Sequence, residues 1–351
     1  MNPTLPPRAD APPPRSILLI RLRRIGDIVM TTPALGVLRA AFPEAILTYA
    51  VEEPFRRLVE GHPDLDRVLV LPSPMTTPAF LRLLARLRRE RYDAVIDFHG
   101  GPRAAWMTLA SRARLRIGYE TGVKGLVYNR RVPRAAASGA VHSVVNHVNL
   151  VRPLTGTESE IPAPLLPEAR PEEKARVDKL LAEAGLSGAR FAAVHISAGN
   201  AFRDWAASNY VGLVERLRRE AGTASLLIGA EADRAKESEI QTVSSVPVAS
   251  LAGRLNLVEL KEAIGRAALF VGPDSGPMHI AASTRTPIVA VFGPTLPAHF
   301  APWGARARIV EAPLDCRPCR QRHCQRQDFR CIKGITSDEV YEACRSFLQT
   351  D

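Results

Sequence analysis

The chain has 351 residues, 47 Lys and Arg against 36 Asp and Glu for a formal surplus of +11, and 46% hydrophobic residues. That length suits two domains, and the apolar share lets each bury its own core. An aromatic share of 6% argues against a surface that stacks bases, and no run of about 18 apolar residues marks a membrane span.

Residues 1–15 are rich in Pro and lack the apolar stretch of a signal peptide, so they read as a disordered tail on a cytoplasmic protein. Short apolar runs then alternate with helical patterns. Strands are predicted at 16–22, 46–51, 67–71 and 93–98. Helices are predicted at 28–42, near 54–60, at 78–89 and at 104–110. The stretch 151–171 changes character, with Pro153, Pro162, Pro164, Pro167 and Pro171 stiffening an extended chain. The linker is taken as 156–171, between a first domain at 16–155 and a second at 172–335.

The alternation restarts beyond it. Strands are predicted at 191–196, 225–228, 246–251, 269–271 and 288–292, and helices at 210–219, 232–242, 257–266 and 278–283. A last helix is expected near 337–348. Strands alternating with helices mean parallel sheets covered on both faces, hence two doubly wound α/β domains facing across a cleft. Ligands of such sheets sit beyond the carboxyl ends of the strands.

Four segments fall at those ends. In Arg21–Pro33 a strand runs through Gly26 into a helix, and Asp27 occupies an apparent N-cap position. It is either a helix cap or a carboxylate set at the cleft as general base. In Val271–Ala282 the N–H groups of Ser275 and Gly276, with the helix dipole, form a cradle for pyrophosphate. Asp274 is suited to accept hydrogen bonds from sugar hydroxyls, and His279 lies one turn inside the helix. Phe292–Pro297 is a turn at the end of the next strand. In His195–Trp205, Arg203 carries a fork of donors suited to phosphate.

The cysteines lie only near the end of the chain. Cys316, Cys319, Cys324 and Cys331 form a C-x2-C-x4-C-x6-C array that four-coordinate zinc could use, although the spacing is not that of paired knuckles. Reduced structural thiols or adventitious disulfides are the competing readings. The cationic surplus favours anionic partners and is not gathered in one block.

Taken together these motifs resemble glycosyltransferase family 9, the ADP-heptose–lipopolysaccharide heptosyltransferases. The resemblance rests on Arg24-Ile-Gly-Asp-Ile-Val with Thr32-Pro-Ala-Leu35, on Asp274-Ser-Gly-Pro-Met-His279 with Phe292-Gly-Pro-Thr295, and on Ile96-Asp-Phe-His-Gly100. It spans nearly the whole chain, from Ile17 to Leu348. It implies a GT-B fold, an acceptor-binding first half, a donor-binding second half, and a helix at 336–351 that packs back on the first domain.

It also implies residue roles. Asp27 would be the base, and Asp274 would hold the heptose. Ser275, Gly276 and His279 would line the phosphate turn. Arg203 would meet phosphate where the family usually has Lys. Asp233, or else Glu231, would meet the ribose, with Leu251 and Gly253 beside the adenine. Arg56, Arg57, His99 and Arg103 are the expected acceptor contacts.

The implied reaction is inverting transfer of heptose from ADP-heptose to the inner core of lipopolysaccharide, with no cofactor required. Arg82, Arg86, Arg88 and Arg89, with Arg56 and Arg57, are expected to meet acceptor phosphates or the anionic inner leaflet. No nucleic-acid partner is expected, and oligomeric state is not legible. The competing readings are a GT-B enzyme with another nucleotide sugar or acceptor, a basic nucleic-acid-binding protein, and a scaffold that has lost catalysis.

Overall fold

The structure is a computed structural model that describes residues 12–120, 123–134, 141–156 and 160–349. Most of the expected N-terminal tail, residues 1–11, lies outside the described residues. The chain divides into two compact units, Met1–Pro167 and Glu168–Asp351. The division falls inside the proline-rich stretch.

The first unit runs β1 (Ser16–Ile20), α1 (Ile25–Val29), α2 (Thr32–Ala41), β2 (Ile46–Glu52), β3 (Arg67–Leu71), α3 (Thr77–Glu90), β4 (Ala94–Asp97), α4 (Pro102–Ala110), β5 (Leu115–Tyr119), β6 (Arg130–Val132) and α5 (Ser143–Thr155). Its described strands form one parallel sheet in the order β3-β2-β1-β4-β5-β6. Ile17 of β1 lies opposite Leu47 on one side and Ala94 on the other. Ile17 to Ile20 are all fully buried. Helices cover both faces of such a sheet, so a central strand is apolar throughout rather than alternating. Truncating Ile20 to Ala would cost about 2–5 kcal/mol.

The expected helix over 28–42 is two helices. Thr31 Oγ1 donates to the Ile28 carbonyl at 2.7 Å, and Thr32 Oγ1 donates to the Val29 carbonyl at 2.9 Å. Both bonds take up carbonyls at the end of α1, while Pro33 has no N–H to continue its ladder. Pro153 is not linker but lies inside α5, which Gly156 closes in the left-handed conformation at φ 63°. The segment near 54–60 is a 3₁₀ turn, Glu53–Leu58.

The second unit runs α6 (Pro171–Glu183), β7 (Phe191–His195), α7 (Ala207–Ala221), β8 (Ala224–Ile228), α8 (Arg234–Val243), β9 (Ala249–Ser250), α9 (Leu257–Gly265), β10 (Leu269–Pro273), α10 (Gly276–Ala281), β11 (Ile288–Phe292), α11 (Pro297–Phe300), β12 (Ala307–Glu311), α12 (Arg330–Lys333) and α13 (Ser337–Leu348). Its sheet order is β12-β11-β10-β7-β8-β9. Counted from its own first strand, that is the order of the first unit. Both follow the 3-2-1-4-5-6 plan of the dinucleotide-binding fold, with a switch point where the order reverses.

Helix α13 lies within the second unit. Its Val340, Tyr341, Cys344 and Leu348 belong to the second unit's own core, with Leu213 and Leu217 of α7. A capping box starts it, with Glu339 N–H donating to Thr336 Oγ1 at 3.2 Å and Thr336 N–H to Glu339 Oε2 at 2.7 Å. Trp205 Nε1 donates to the Ile335 carbonyl at 2.8 Å.

Candidate functional site

The first unit reverses strand order between β1 and β4. Asp27 follows the one and His99 the other. Asp27 is the third residue of α1 and not its cap; that position is Arg24, which holds φ 73°. A non-glycine residue there is strained, so the positive φ that glycine would take most easily falls on Arg24 rather than Gly26.

Relieved of capping, the Asp27 carboxylate pairs with Arg21 and is 30% exposed. Arg21 Nη1 also donates to the Phe98 carbonyl at 2.7 Å. One guanidinium therefore ties the two loops of the switch point and aims the carboxylate.

Below them, Asp97 is fully buried at the end of β4. Its Oδ1 accepts from the N–H groups of His99 and Gly100, both at 2.8 Å, and its Oδ2 accepts from Tyr128 Oη at 2.6 Å. Burial raises its pKa, opposed by those hydrogen bonds. This network fixes the loop that carries His99.

Burial, then the charges of Arg21, Arg23 and Arg103, push His99 down to about 4. Its imidazole is neutral near pH 7, and its Nδ1 is a buried atom with no hydrogen-bond partner among the described residues. The other expected acceptor contacts are partly spent. Arg103 pairs with buried Glu52, and Arg56 and Arg57 share Glu60.

The second unit reverses order between β7 and β10. Arg203 lies in the loop after β7, and Asp274 follows β10. Arg203 Nη1 donates to the Asp274 carbonyl at 2.9 Å and approaches its Oδ2 at 3.2 Å. Thr295 Oγ1, from the turn after β11, donates to the same Oδ2 at 2.7 Å. Gln321, in the cysteine segment, accepts from Arg203 Nε at 3.1 Å and from Asn200 Nδ2 at 2.8 Å. Ser275 Oγ and His195 Nδ1 share a hydrogen bond of 3.2 Å. Burial lowers His195 to about 4. His279 is buried inside α10.

These contacts bring Arg203, Asp274 and Ser275 into one cluster and add Thr295, Gln321, Asn200 and His195. Thr295 ends the Phe292-Gly-Pro-Thr motif. Gln321 had no sequence signal, because it reaches Arg203 across 118 positions.

At the outer side of β8 the two acidic candidates separate. The Asp233 carboxylate accepts from the Ala230 N–H at 2.7 Å and so holds its own turn. The Glu231 side chain is 71% exposed, and Arg234 Nε donates to it at 2.6 Å. Gly253 lies against Glu231 at φ 72°, where a Cβ would meet the Glu231 Cα at 3.0 Å. Leu251 beside it is buried.

All five cysteines are free thiols. Among the described residues no group of three His, Cys, Asp or Glu side chains is arranged to hold a metal ion. The segment also braces its neighbours. Cys319 N–H donates to the Pro294 carbonyl at 3.1 Å, and Arg317 Nη2 donates to the Thr295 carbonyl at 2.7 Å. Phe329 packs against Phe202 with ring centroids 5.4 Å apart. Backbone N–H groups, led by that of Phe329, lower the pKa of the Cys324 thiol.

No helix among the described residues is long and apolar enough to cross a membrane. The family model for glycosyltransferase family 9 (heptosyltransferase) matches residues 80–329. A lipopolysaccharide heptosyltransferase 1 from Pseudomonas aeruginosa is 25% identical over 334 residues, 89% of this chain and 88% of that protein. A family 9 glycosyl transferase from Veillonella parvula DSM 2008 superposes with TM-score 0.84 at 21% identity, covering 96% of this chain and 98% of the other. The E. coli heptosyltransferase WaaC with ADP superposes with TM-score 0.74 at 19% identity, covering 95% and 99%. The fold shared with these structures is GT-B, and the chain belongs to glycosyltransferase family 9 (heptosyltransferase), which makes the protein a glycosyltransferase.

Proposed function

We propose that the protein transfers a heptose from ADP-heptose to the inner core of lipopolysaccharide, with inversion at the anomeric carbon. The observation that carries this reading is the pair of switch points. Each bears a polar cluster at the carboxyl ends of its central strands, one built on Asp27 and the other on Asp274 with Arg203. The donor is taken from relatives of the family, one of which was solved with ADP.

In this scheme Asp27 removes the proton of an acceptor hydroxyl, which attacks the anomeric carbon from the face opposite the pyrophosphate. Arg21 orients that carboxylate. The transition state is oxocarbenium-like. Arg203 and the N–H groups of Ser275 and Gly276 stabilise charge on departing ADP. Asp274 takes the sugar hydroxyls, and Thr295 fixes its rotamer.

Glu231 is a better ribose partner than Asp233, whose carboxylate already satisfies a backbone N–H. The unpaired Nδ1 of His99 supports an acceptor contact, because a buried ring nitrogen without a partner costs free energy that a ligand donor would recover. No metal or organic cofactor enters the scheme, so turnover should survive EDTA.

The test is transfer from ADP-heptose to a heptose-deficient inner-core acceptor, with product stereochemistry read by NMR. Nucleotide protection accompanies it. ADP should raise the melting temperature while UDP, GDP and CMP do not. Protection by one of those nucleotides instead would move the donor, and retention of configuration would remove the single-displacement scheme.

A further inference from the structure

The cationic surplus is not gathered in one sequence block, but on the fold it is regional. From Thr77 to Arg134 there are 13 Arg and Lys against four Asp and Glu, a surplus of nine within a chain whose total surplus is eleven. That segment runs from α3 to just beyond β6. Helices α3 and α4 bury Leu87, Ala104 and Met107 in one core cluster, so they lie side by side on one face of the first sheet.

Their outer surface is apolar as well as basic. Leu81 of α3 is 59% exposed, and Trp106 and Leu109 of α4 are 59% and 44% exposed. Leu126, in the 3₁₀ turn Val123–Val127 that packs against α4, is 68% exposed. Trp106 and Leu109 sit three apart on one helical stripe, with Met107 and Thr108 turned inward. On the same stretch of chain Arg88, Arg89, Arg112, Arg114 and Arg131 are exposed.

Large apolar side chains in water beside exposed cations mark an interaction surface. Two copies of so cationic a face repel each other, which disfavours self-pairing. Leucines offer a phosphodiester backbone nothing. An anionic bilayer matches both features, since Trp and Leu enter the headgroup region while Arg meets lipid phosphate.

We propose that the α3–α4 face with the turn at Leu126 docks this glycosyltransferase on an anionic membrane surface, Trp106 and Leu126 inserting and Arg88 and Arg89 pairing with lipid phosphate. The inference deepens the proposed function, because a lipid-borne acceptor would be met at that surface.

The test uses full-length protein and co-sedimentation with two kinds of vesicle, phosphatidylglycerol mixed with phosphatidylcholine, and phosphatidylcholine alone. Binding is expected on the anionic vesicles only, weakening at least tenfold at high salt. A cation near such a surface contributes about fivefold to partitioning, so Arg88→Gln with Arg89→Gln should lose about 25-fold. Trp106→Ala with Leu126→Ala should lose binding, and Trp106→Phe should keep it. Trp106 fluorescence should shift to the blue on binding.

Melting temperature and ADP affinity should be unchanged in all three variants, and transfer to a water-soluble acceptor fragment should be unchanged in the two Trp106 variants. Loss of transfer to that fragment by the parent protein would count against the proposed function while leaving docking standing. Equal binding to neutral vesicles, no binding to anionic ones, or parent-like binding by Trp106→Ala with Leu126→Ala would overturn the docking. So would a dimer that dissociates in that variant, or a preference of this face for nucleic acid over anionic lipid.

Discussion

The two units share one strand order and one switch-point geometry, yet they furnish those points differently. In the first, a single guanidinium, Arg21, crosses between the loops and holds Asp27, with a neutral His99 beside it. In the second, Asp274 is tied from two sides by Arg203 and Thr295, and Gln321 holds Arg203 in turn. The first arrangement leaves a carboxylate oriented but open. The second builds a stiff polar socket. The topology sets where a ligand can sit, and the loops decide whether the place does chemistry or binding.

The contrast breaks most visibly at Asp27. Asp27→Asn should lower turnover by about 10²–10⁴-fold, the usual worth of a general base, with donor KM nearly unchanged. Comparable turnover would remove the base from the first unit. Next is Arg203→Ala, which should weaken ADP by about tenfold or more, because it removes a cation from phosphate and unties Asp274. Gln321→Ala should produce a milder version of the same change, within about tenfold, seen as weaker ADP affinity with kcat little altered. If Gln321→Ala leaves affinity untouched, the cysteine segment is not a brace for the socket.

Two smaller effects sharpen the comparison through stability. Gly253→Ala forces a Cβ against Glu231 at positive φ and should cost about 1–2 kcal/mol, read as a lower melting temperature. His195 is depressed to about 4 from an ordinary value near 6.5, so the unfolded chain binds the extra proton between those values. Its contribution is therefore full above about pH 6.5 and is lost as pH falls toward 4, by up to about 3 kcal/mol. His195→Gln should flatten that part of the stability profile, and an unchanged profile would show that the ring is hydrated when the chain is folded.

The sequence made the architecture legible because buried parallel strands read as apolar runs such as Ile17–Ile20 and Ile288–Phe292. It missed β5 and β6, where Arg114, Arg116, Arg130 and Arg131 interrupt the apolar signal, and Gly118 in β5 exists to admit the Tyr128 ring. The sites were half legible. Asp27 and Asp274 follow strands and announce themselves. Arg21 reads as an ordinary strand-end cation until the fold sets it beside Phe98. Asp233 and Glu231 look equivalent in sequence, and only the capping bond to Ala230 separates them. The spacing of the cysteine array shows only that four thiols lie close in sequence; the packing of its segment, through Cys319 N–H on the Pro294 carbonyl and the Arg317 side chain on the Thr295 carbonyl, is visible only in the fold.

The most direct test is the ADP dissociation constant of Asp27→Asn and Arg203→Ala, measured by calorimetry against the parent protein. The account predicts that Asp27→Asn binds within about twofold of the parent while its turnover falls about 10²–10⁴-fold, and that Arg203→Ala binds about tenfold weaker or worse. A loss of ADP binding in Asp27→Asn, or parent-like binding in Arg203→Ala, would contradict the division of catalysis and donor binding between the two switch points.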